Sequence, residues 1–245
     1  MTPNAPLGDV VTLPGRFNGP PRSGNGGYVS GRLAHYVTGP ASVRLRVPPP
    51  LDRALRVEAG DGEARLFDGD TLVAQARRVD LALSLPAPPS LAEAETAAAS
   101  YAGFVRHPLP RCFVCGTARG HGDGLRIFAG PTKTAGVLAA PWLPDASLDD
   151  GGGHVATEFL WAALDCPGGF AVMPDPDRPV ILGELSARID GALAIGEPAI
   201  VAAWPLGVDG RKRFAGTALW SATGTPIAVA RATWIEIDAL PVDAG

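Results

Sequence analysis

Two blocks of alternating apolar and polar residues do most to limit how this chain can fold. The first runs through residues 42–85 and the second through residues 181–237, and turn sequences such as Asp61-Gly62 divide both into short segments. A period of two indicates β-strands with one buried face, and short turns between consecutive strands indicate antiparallel pairing. The sequence therefore predicts two antiparallel meanders.

A helix-length segment precedes each meander, so the order of helix and then strands occurs twice. Residues 28–37 form the first segment, in which Ser30, Gly31 and Ala34 give one small face that allows close packing. The second segment, His154–Ala171, is apolar on nearly all sides and is expected to be a single buried helix. A repeat of about 100–120 residues predicts an internal duplication, because solenoid repeats are shorter.

The repeat pattern predicts three parts of the chain. They are a first repeat at residues 1–85, a linker with a short helix at residues 86–106, and a second repeat at residues 107–245. Two further strands are predicted in the second repeat, at Leu125–Phe128 and at Ala135–Ala140.

Composition and charge exclude several classes of function. Hydrophobic residues make up 46% of the chain and charged residues 19%, which is typical of folded proteins. The net charge of −4 argues against a general nucleic-acid binder. Because there is neither an apolar run of about 18 residues nor a signal-peptide pattern, we expect a cytoplasmic protein with no membrane partner.

Three polar residues of the second helix segment deserve a functional interpretation. His154, Glu158 and Asp165 are spaced by four and by seven residues, which in one helix places them on a single stripe. Carboxylates are rarely buried without a partner or a chemical role. The stripe therefore predicts a partner surface, although helix capping and an i,i+4 pair are structural alternatives.

Short motifs add a family resemblance to this organisation. The sequence CFVCG at Cys112–Gly116 is followed by GLRIF at Gly124–Phe128, and Asn25-Gly26-Gly27 precedes the first helix. Together with a helix and a meander that occur twice, these motifs resemble the thioesterase superfamily. The resemblance implies an α+β fold, a tandem (double) hotdog with two antiparallel sheets that each wrap a central helix.

The sequence WAALD at Trp161–Asp165 resembles the part of the central helix that carries the catalytic carboxylate in that superfamily. In single-domain members one helix carries both elements, with the acid nine residues after the residue that precedes Gly-Gly. In this chain Ala34 stands nine residues after Asn25, and Ala156 stands nine residues before Asp165. Each repeat thus retains one element, and the resemblance implies one composite site and one degenerate site.

The resemblance implies hydrolysis of an acyl-CoA or another acyl thioester, with no cofactor. Free backbone N–H groups of Gly26 and Gly27 and the amide of Asn25 would bind the thioester carbonyl oxygen, and Asp165 would be the base or the nucleophile. An ordinary helix cap with a tight turn is the structural alternative for residues 25–27. The protein is expected to be a monomer or a homodimer of double-hotdog units.

Six further side chains are candidates for substrate binding. Two polar ones would shape the field around the catalytic acid or line the degenerate site. Two aromatic ones would contact the substrate, with packing in the core as the alternative for the tryptophan. Two basic ones would contact the phosphates of CoA, for which a solvated hairpin tip is the alternative. The polar candidates are Glu158 and His154, the aromatic candidates are Trp161 and Tyr28, and the basic candidates are Arg211 and Lys212.

Two other functions remain open. A non-hydrolytic module that binds acyl-CoA or lipid would explain why Ala34 and Ala156 stand where an acid or a glycine motif is expected. A hydratase or dehydratase is less favoured, because neither central helix has an Asp followed a few residues later by a His.

The cysteines suggest a metal site only weakly. His107, Cys112, Cys115 and His121 follow one another in an order that zinc ligands can take, but closed zinc sites usually show two tight ligand pairs. We therefore predict no metal and an apolar loop at this position. Cys166 is expected to be a small packing residue.

Overall fold

The structure, a computed structural model, describes residues 8–173, 175 and 178–240. The first half contains β1 (Asp9–Thr12), α1 (Gly26–Ala34), β2 (Ala41–Leu45), β3 (Ala54–Gly60), β4 (Glu63–Asp68) and β5 (Thr71–Arg78). The second half contains α2 (Leu91–Ala98), β6 (Gly130–Pro131), β7 (Leu138–Trp142), α3 (Thr157–Ala163), α4 (Cys166–Val172), β8 (Val180–Ile189), β9 (Ala199–Asp209), β10 (Lys212–Ser221) and β11 (Pro226–Glu236).

These strands join in one antiparallel sheet with the order β1-β3-β4-β5-β2-β8-β11-β10-β9-β7-β6. The two halves meet where β2 pairs with β8, from Ala41 opposite Ala187 to Arg44 opposite Glu184. The α+β class is confirmed. One continuous sheet takes the place of the two predicted sheets, because the free edges of β2 and β8 satisfy each other's main-chain hydrogen bonds.

The two halves of the sheet have the same strand order. Outward from the β2–β8 junction, the first half follows β2, β5, β4, β3 and β1, and the second follows β8, β11, β10, β9 and β7. In the chain, α1 lies between β1 and β2, while α3 and α4 lie between β7 and β8. The helical segments therefore occupy equivalent places in the two halves.

The strand pattern of both meanders is confirmed, except that the first ends at Arg78 and residues 79–85 are not in a strand. The β3–β4 hairpin illustrates the cause, since Asp61 and Gly62 at its turn have φ angles of 53° and 76°. Two consecutive positive φ angles are those of a type I′ turn, which matches the twist of a hairpin. Beyond this turn, Ala64 and Leu66 alternate with exposed residues and face the core.

Two predicted strands differ from the structure. Leu125–Phe128 is not a strand, because Arg126 has a φ of 56° and so interrupts an extended backbone. Within Ala135–Ala140, strand β7 begins only at Leu138, after Gly136 with a φ of 77°. Sequence alternation does not reveal either turn.

The main core fills the space between the helices and one face of the sheet, and both halves contribute to it. A smaller core lies on the opposite face, where α2 and neighbouring leucines cover Trp204 and Trp220. Ser90 caps α2 by accepting a hydrogen bond from the N–H of Glu93. Among the described residues, no helix has the length and apolar character needed to cross a bilayer.

Candidate active site

The N-terminus of α1 presents two hydrogen-bond donors to one buried oxygen. Asn25 caps the helix, and its Oδ1 accepts a hydrogen bond from the N–H of Tyr28 at 2.9 Å. Its Nδ2 group donates to Oδ2 of Asp165 at 2.7 Å, and the N–H of Gly27 donates to the same oxygen at 2.9 Å. Because the cap fixes the Asn25 carbonyl, the amide nitrogen is held toward Asp165.

Close packing of α1 against α3 makes this contact possible. A Cβ atom at Gly27 would lie 2.6 Å from Cβ of Asp165 and 2.7 Å from the carbonyl oxygen of Trp161. One turn later, a Cβ atom at Gly31 would lie 2.5 Å from Cα of Glu158. The predicted small face of the first helix is thus the surface on which α3 packs.

Asp165 lies at a break between two helices. Residues 164 and 165 form a turn after α3, and Asp165 is the N-cap residue of α4 with φ −83° and ψ −86°. The prediction of one helix over His154–Ala171 was wrong at this point. Pro167 lies in the first turn of α4, where the missing N–H of proline is tolerated, so the Cys-Pro-Gly-Gly segment starts a helix.

The carboxyl group of Asp165 is buried and only half satisfied. The residue is 2% exposed, and its Oδ1 atom has no hydrogen-bond partner among the described residues. Burial is the main reason that the pKa of Asp165 is raised to about 7. The charge of Cys112 also raises this pKa, whereas the hydrogen bonds from Gly27 and Asn25 lower it. The expected free donor at Gly27 is therefore occupied by Asp165 itself.

The predicted polar stripe is not formed. His154 is exposed and precedes α3, where it forms a β-bridge with Ala194. Glu158, in the first turn of α3, lies 4.0 Å from the guanidinium of Arg32. Because the chain turns between α3 and α4, the spacing of four and seven residues does not describe one face.

The aromatic candidates belong to the core between the helices. Tyr28 stacks on Phe159 with ring centroids 5.8 Å apart, and its hydroxyl accepts a hydrogen bond from Arg32. Trp161 is buried, and its Cβ lies against Gly31. These contacts fix the distance between α1 and α3.

The basic candidates lie on the hairpin between β9 and β10. Arg211 and Lys212 are exposed there, at the turn that joins the two strands. The neighbouring Arg213 forms an ion pair with buried Glu236. The structure therefore brings Asn25, Gly27 and Asp165 together, whereas these two basic residues occupy a hairpin tip.

An apolar pocket with a cavity volume of about 60 Å³ lies against α4. Its walls include three cysteines and several apolar side chains, such as Leu109, Phe170, Met173 and Trp234. Cys166 is part of the wall and directly follows Asp165, which does not line the pocket itself. The carboxylate of Asp165 is thus next in sequence to a residue of the pocket wall but does not itself line the pocket.

Sequence reasoning missed the cluster that all three cysteines form. The sulfurs of Cys112 and Cys166 are 3.5 Å apart, and those of Cys112, Cys115 and Cys166 all lie within 4.8 Å of one another. Hydrogen bonds from Cys115 and then Cys166 hold the pKa of Cys112 well below its ordinary value. Hydrogen bonding to Cys112 in turn raises the pKa of the other two thiols. Cys166 therefore packs against two other thiols.

The two histidines of the weak zinc pattern do not join this cluster. His121 is exposed on its loop. His107 accepts a hydrogen bond from the N–H of Leu109 at Nδ1, and its Nε2 lies 2.9 Å from the carbonyl oxygen of Cys115. Burial lowers the pKa of His107, and both ring nitrogens have protein partners.

Comparison with known proteins bears on the fold. No family model and no curated protein matches the chain. Solved structures match nearly its whole length. The TesB protein of Mycobacterium avium subsp. paratuberculosis aligns with a TM-score of 0.61 and 12% identity, over 93% of this chain and 92% of that one.

Two other solved structures agree with this result. One is described as a candidate thioesterase from Novosphingobium aromaticivorans, with a TM-score of 0.58, 15% identity and coverage of 92% of this chain and 94% of that one. Another is described as a candidate thioesterase II from Thermobifida fusca, with a TM-score of 0.57, 16% identity and coverage of 93% and 91%. The chain therefore has the fold of these thioesterase structures, as the resemblance predicts.

Proposed function

We propose that the protein is a thioester hydrolase of the acyl-CoA thioesterase type, with one composite site. The site combines Asn25, Gly26 and Gly27 at the start of α1 with Asp165 between α3 and α4. The observation that carries the proposal is the convergence of two donors on Oδ2 of Asp165, while Oδ1 lacks a partner among the described residues. Leaving a buried carboxylate oxygen without a partner costs stability, and a catalytic role is one explanation for keeping such a group.

The free Oδ1 atom of Asp165 supports two chemical routes. In one, it attacks the thioester carbon, the thiolate leaves, and water then hydrolyses the acyl–Asp165 anhydride. In the other, it accepts a proton from a water molecule whose oxygen attacks the same carbon, and the thiolate leaves. Both routes yield a carboxylic acid and a free thiol.

The start of α1 would supply the donors for the carbonyl oxygen. The distances of 2.7 Å and 2.9 Å from Asn25 and Gly27 to one oxygen fall within the range of an oxyanion hole. A thioester oxygen that displaces Oδ2 of Asp165 would receive the same two hydrogen bonds, with the N–H of Gly26 beside them. The partial positive charge of the helix N-terminus favours the developing oxyanion.

The substrate that we propose is an acyl-CoA or another acyl thioester. The apolar wall of the pocket against α4 supports an apolar acyl group next to Cys166, although a volume of about 60 Å³ accommodates only a small part of such a group without rearrangement. The shared strand order of the two halves supports a double hotdog with repeats at residues 1–85 and 107–245 and a linker at 86–106. One chain, alone or as a homodimer, would contain the complete composite site.

The test is the release of free thiol from a panel of acyl-CoAs by wild type and by Asp165→Asn. We expect turnover in wild type and a fall in kcat/KM of about 10²–10⁴-fold in the variant, since it loses the general base or nucleophile. Asp190→Asn, at an exposed aspartate that pairs with Arg188, is the matched control and should retain turnover. Unchanged turnover in Asp165→Asn would refute the assignment of Asp165.

A second function is favoured by one specific observation. Asp165 is 2% exposed and accepts hydrogen bonds from both the Asn25 amide and the N–H of Gly27, so both groups already have an acceptor inside the protein. A module that binds acyl-CoA without hydrolysis would keep such an arrangement. Saturable binding of acyl-CoA with no thiol release from any substrate would support this function over the first.

A further inference from the structure

All the cysteines of this chain meet in one place. The sequence contains three, and Cys112 and Cys166, whose sulfurs lie 3.5 Å apart, are separated by 54 residues along the chain. Packing alone does not require cysteine, because alanine, serine or valine fills a similar volume. The meeting of all three thiols therefore points to a role for sulfur.

The loop before the cluster is shaped to present two sulfurs together. Gly116 follows Cys115, and its N–H donates to the carbonyl oxygen of Cys112 at 2.9 Å. A Cβ atom at Gly116 would lie 2.4 Å from that oxygen, so the turn requires glycine. The backbone N–H groups of Cys115 and Val114 also donate to the sulfur of Cys112, which favours its thiolate form.

We propose that Cys112, Cys115 and Cys166 form a zinc site with three thiolate ligands and a fourth position open to the apolar pocket. Tetrahedral zinc with bonds of about 2.3 Å to sulfur holds its sulfur ligands about 3.8 Å apart. The sulfurs of Cys112 and Cys166, 3.5 Å apart, are close to this value, and no two of the three sulfurs are more than 4.8 Å apart.

Zinc fits this donor set better than calcium, magnesium or manganese. Thiolates select soft or borderline metals over calcium, magnesium and manganese. Three protein ligands leave a fourth position for water, as in zinc sites that keep an open position. His107 is not the fourth ligand, since both of its ring nitrogens already have protein partners.

The site adjoins the candidate active site through Asn25. Its Nδ2 group lies 3.8 Å from the sulfur of Cys166 and 4.0 Å from that of Cys112, and it donates to Asp165. Binding of one zinc ion would release the protons of those thiols that are still protonated, and three thiolates would leave one net negative charge on the complex. The amide hydrogens of Asn25 would face that charge.

The first test measures metal directly in the wild-type protein. Protein that has been reduced without oxygen and stripped with a chelator is mixed with zinc chloride, desalted and analysed for zinc by mass spectrometry. We expect one zinc ion per chain. Loading with cobalt should give intense absorption bands from charge transfer between thiolate and metal, which identify sulfur ligands.

Variants then identify the ligands. Each single variant should bind zinc at least about 100-fold more weakly than wild type, as measured by competition with a chromogenic chelator; the variants are Cys112→Ser, Cys115→Ser and Cys166→Ser. The reason is that loss of a residue that only hydrogen-bonds to a metal ligand already weakens metal binding by up to about 100-fold. His121→Ala is the matched control from the sequence pattern and should bind zinc as wild type does. Circular dichroism checks that each variant is folded.

Two results would overturn the proposal. Wild-type protein that retains much less than one zinc ion per chain after anaerobic loading has no such site. Cobalt-loaded wild type without thiolate charge-transfer bands binds metal elsewhere. Both measurements use wild type, so they decide the question even if a cysteine variant fails to fold, and neither depends on thioester turnover.

Discussion

Gly27 offers a sharp test of how the composite site is built. In Gly27→Ala, the new Cβ atom would lie 2.6 Å from Cβ of Asp165, 2.7 Å from the carbonyl oxygen of Trp161 and 2.9 Å from Cα of Ala162. These atoms belong to the backbone or adjoin it, so no side-chain rotation relieves the contacts. The helices must separate by roughly 0.8 Å to restore ordinary van der Waals contact.

The cost of this separation follows from the contacts. Overpacking of a core typically costs about 1–3 kcal/mol. The same movement stretches the hydrogen bonds of 2.7 Å and 2.9 Å to Asp165, and each hydrogen bond to a charged group contributes about 1.5–3 kcal/mol. The higher helix propensity of alanine returns about 1 kcal/mol. We expect the free energy of unfolding to fall by about 3 kcal/mol.

Urea denaturation at neutral pH measures this change, and thermal unfolding should show a decrease in Tm of about 6–12 °C for a chain of this size. Gly26→Ala is the matched control on the same helix turn. The three atoms nearest to its new Cβ atom are side-chain atoms of Leu182 and Leu45, the nearest at the flexible end of Leu182. If Gly27→Ala loses no more stability than Gly26→Ala, the reasoning about close helix packing is wrong.

Two further predictions concern features away from the site. The hydrogen bond from Arg213, and then the charge of Arg178, lower the pKa of Glu236 in the folded protein. The ionised Glu236 therefore contributes its full stabilisation above the pKa of the unfolded state, about 4.3, and this stabilisation is lost as the pH falls through the pKa of the folded state. Glu236→Gln should therefore be less stable at neutral pH and lose less stability on acidification in urea titrations, and parallel pH profiles would contradict this. Ser90→Ala should reduce the free energy of unfolding by about 1 kcal/mol by removing the cap of α2, whereas Ser90→Asp should retain it; equal loss in both variants would exclude capping as the cause.

Much of the fold could be predicted because strand periodicity and turn chemistry are local. The positions of β2–β5 and β8–β11 follow from alternation and from turns such as Asp61-Gly62. The missing strand at Leu125–Phe128 and the single continuous sheet could not be predicted in the same way. The first depends on one backbone angle at Arg126, and the second depends on pairing between strands that are far apart in sequence.

The candidate site was predictable in part. The complementary losses in the two repeats, at Ala34 and Ala156, predicted that Asn25 and Asp165 would act together, and the structure brings these two residues into contact. The helix break was missed although Pro167 signals a helix start as well as a stop. The thiol cluster was missed because a distance of 54 residues between Cys112 and Cys166 carries no spacing signal.

The distance along the chain between the two sides of the site has a consequence for biosynthesis. Asn25 and Asp165 are 140 residues apart in sequence, so the ribosome completes the first half long before the carboxylate exists. During that interval α1 has no α3 to cover Gly27 and Gly31, and loop-closure entropy delays their contact further. The site therefore cannot form before residue 165 has been made, and its appearance during refolding would report that both halves have docked.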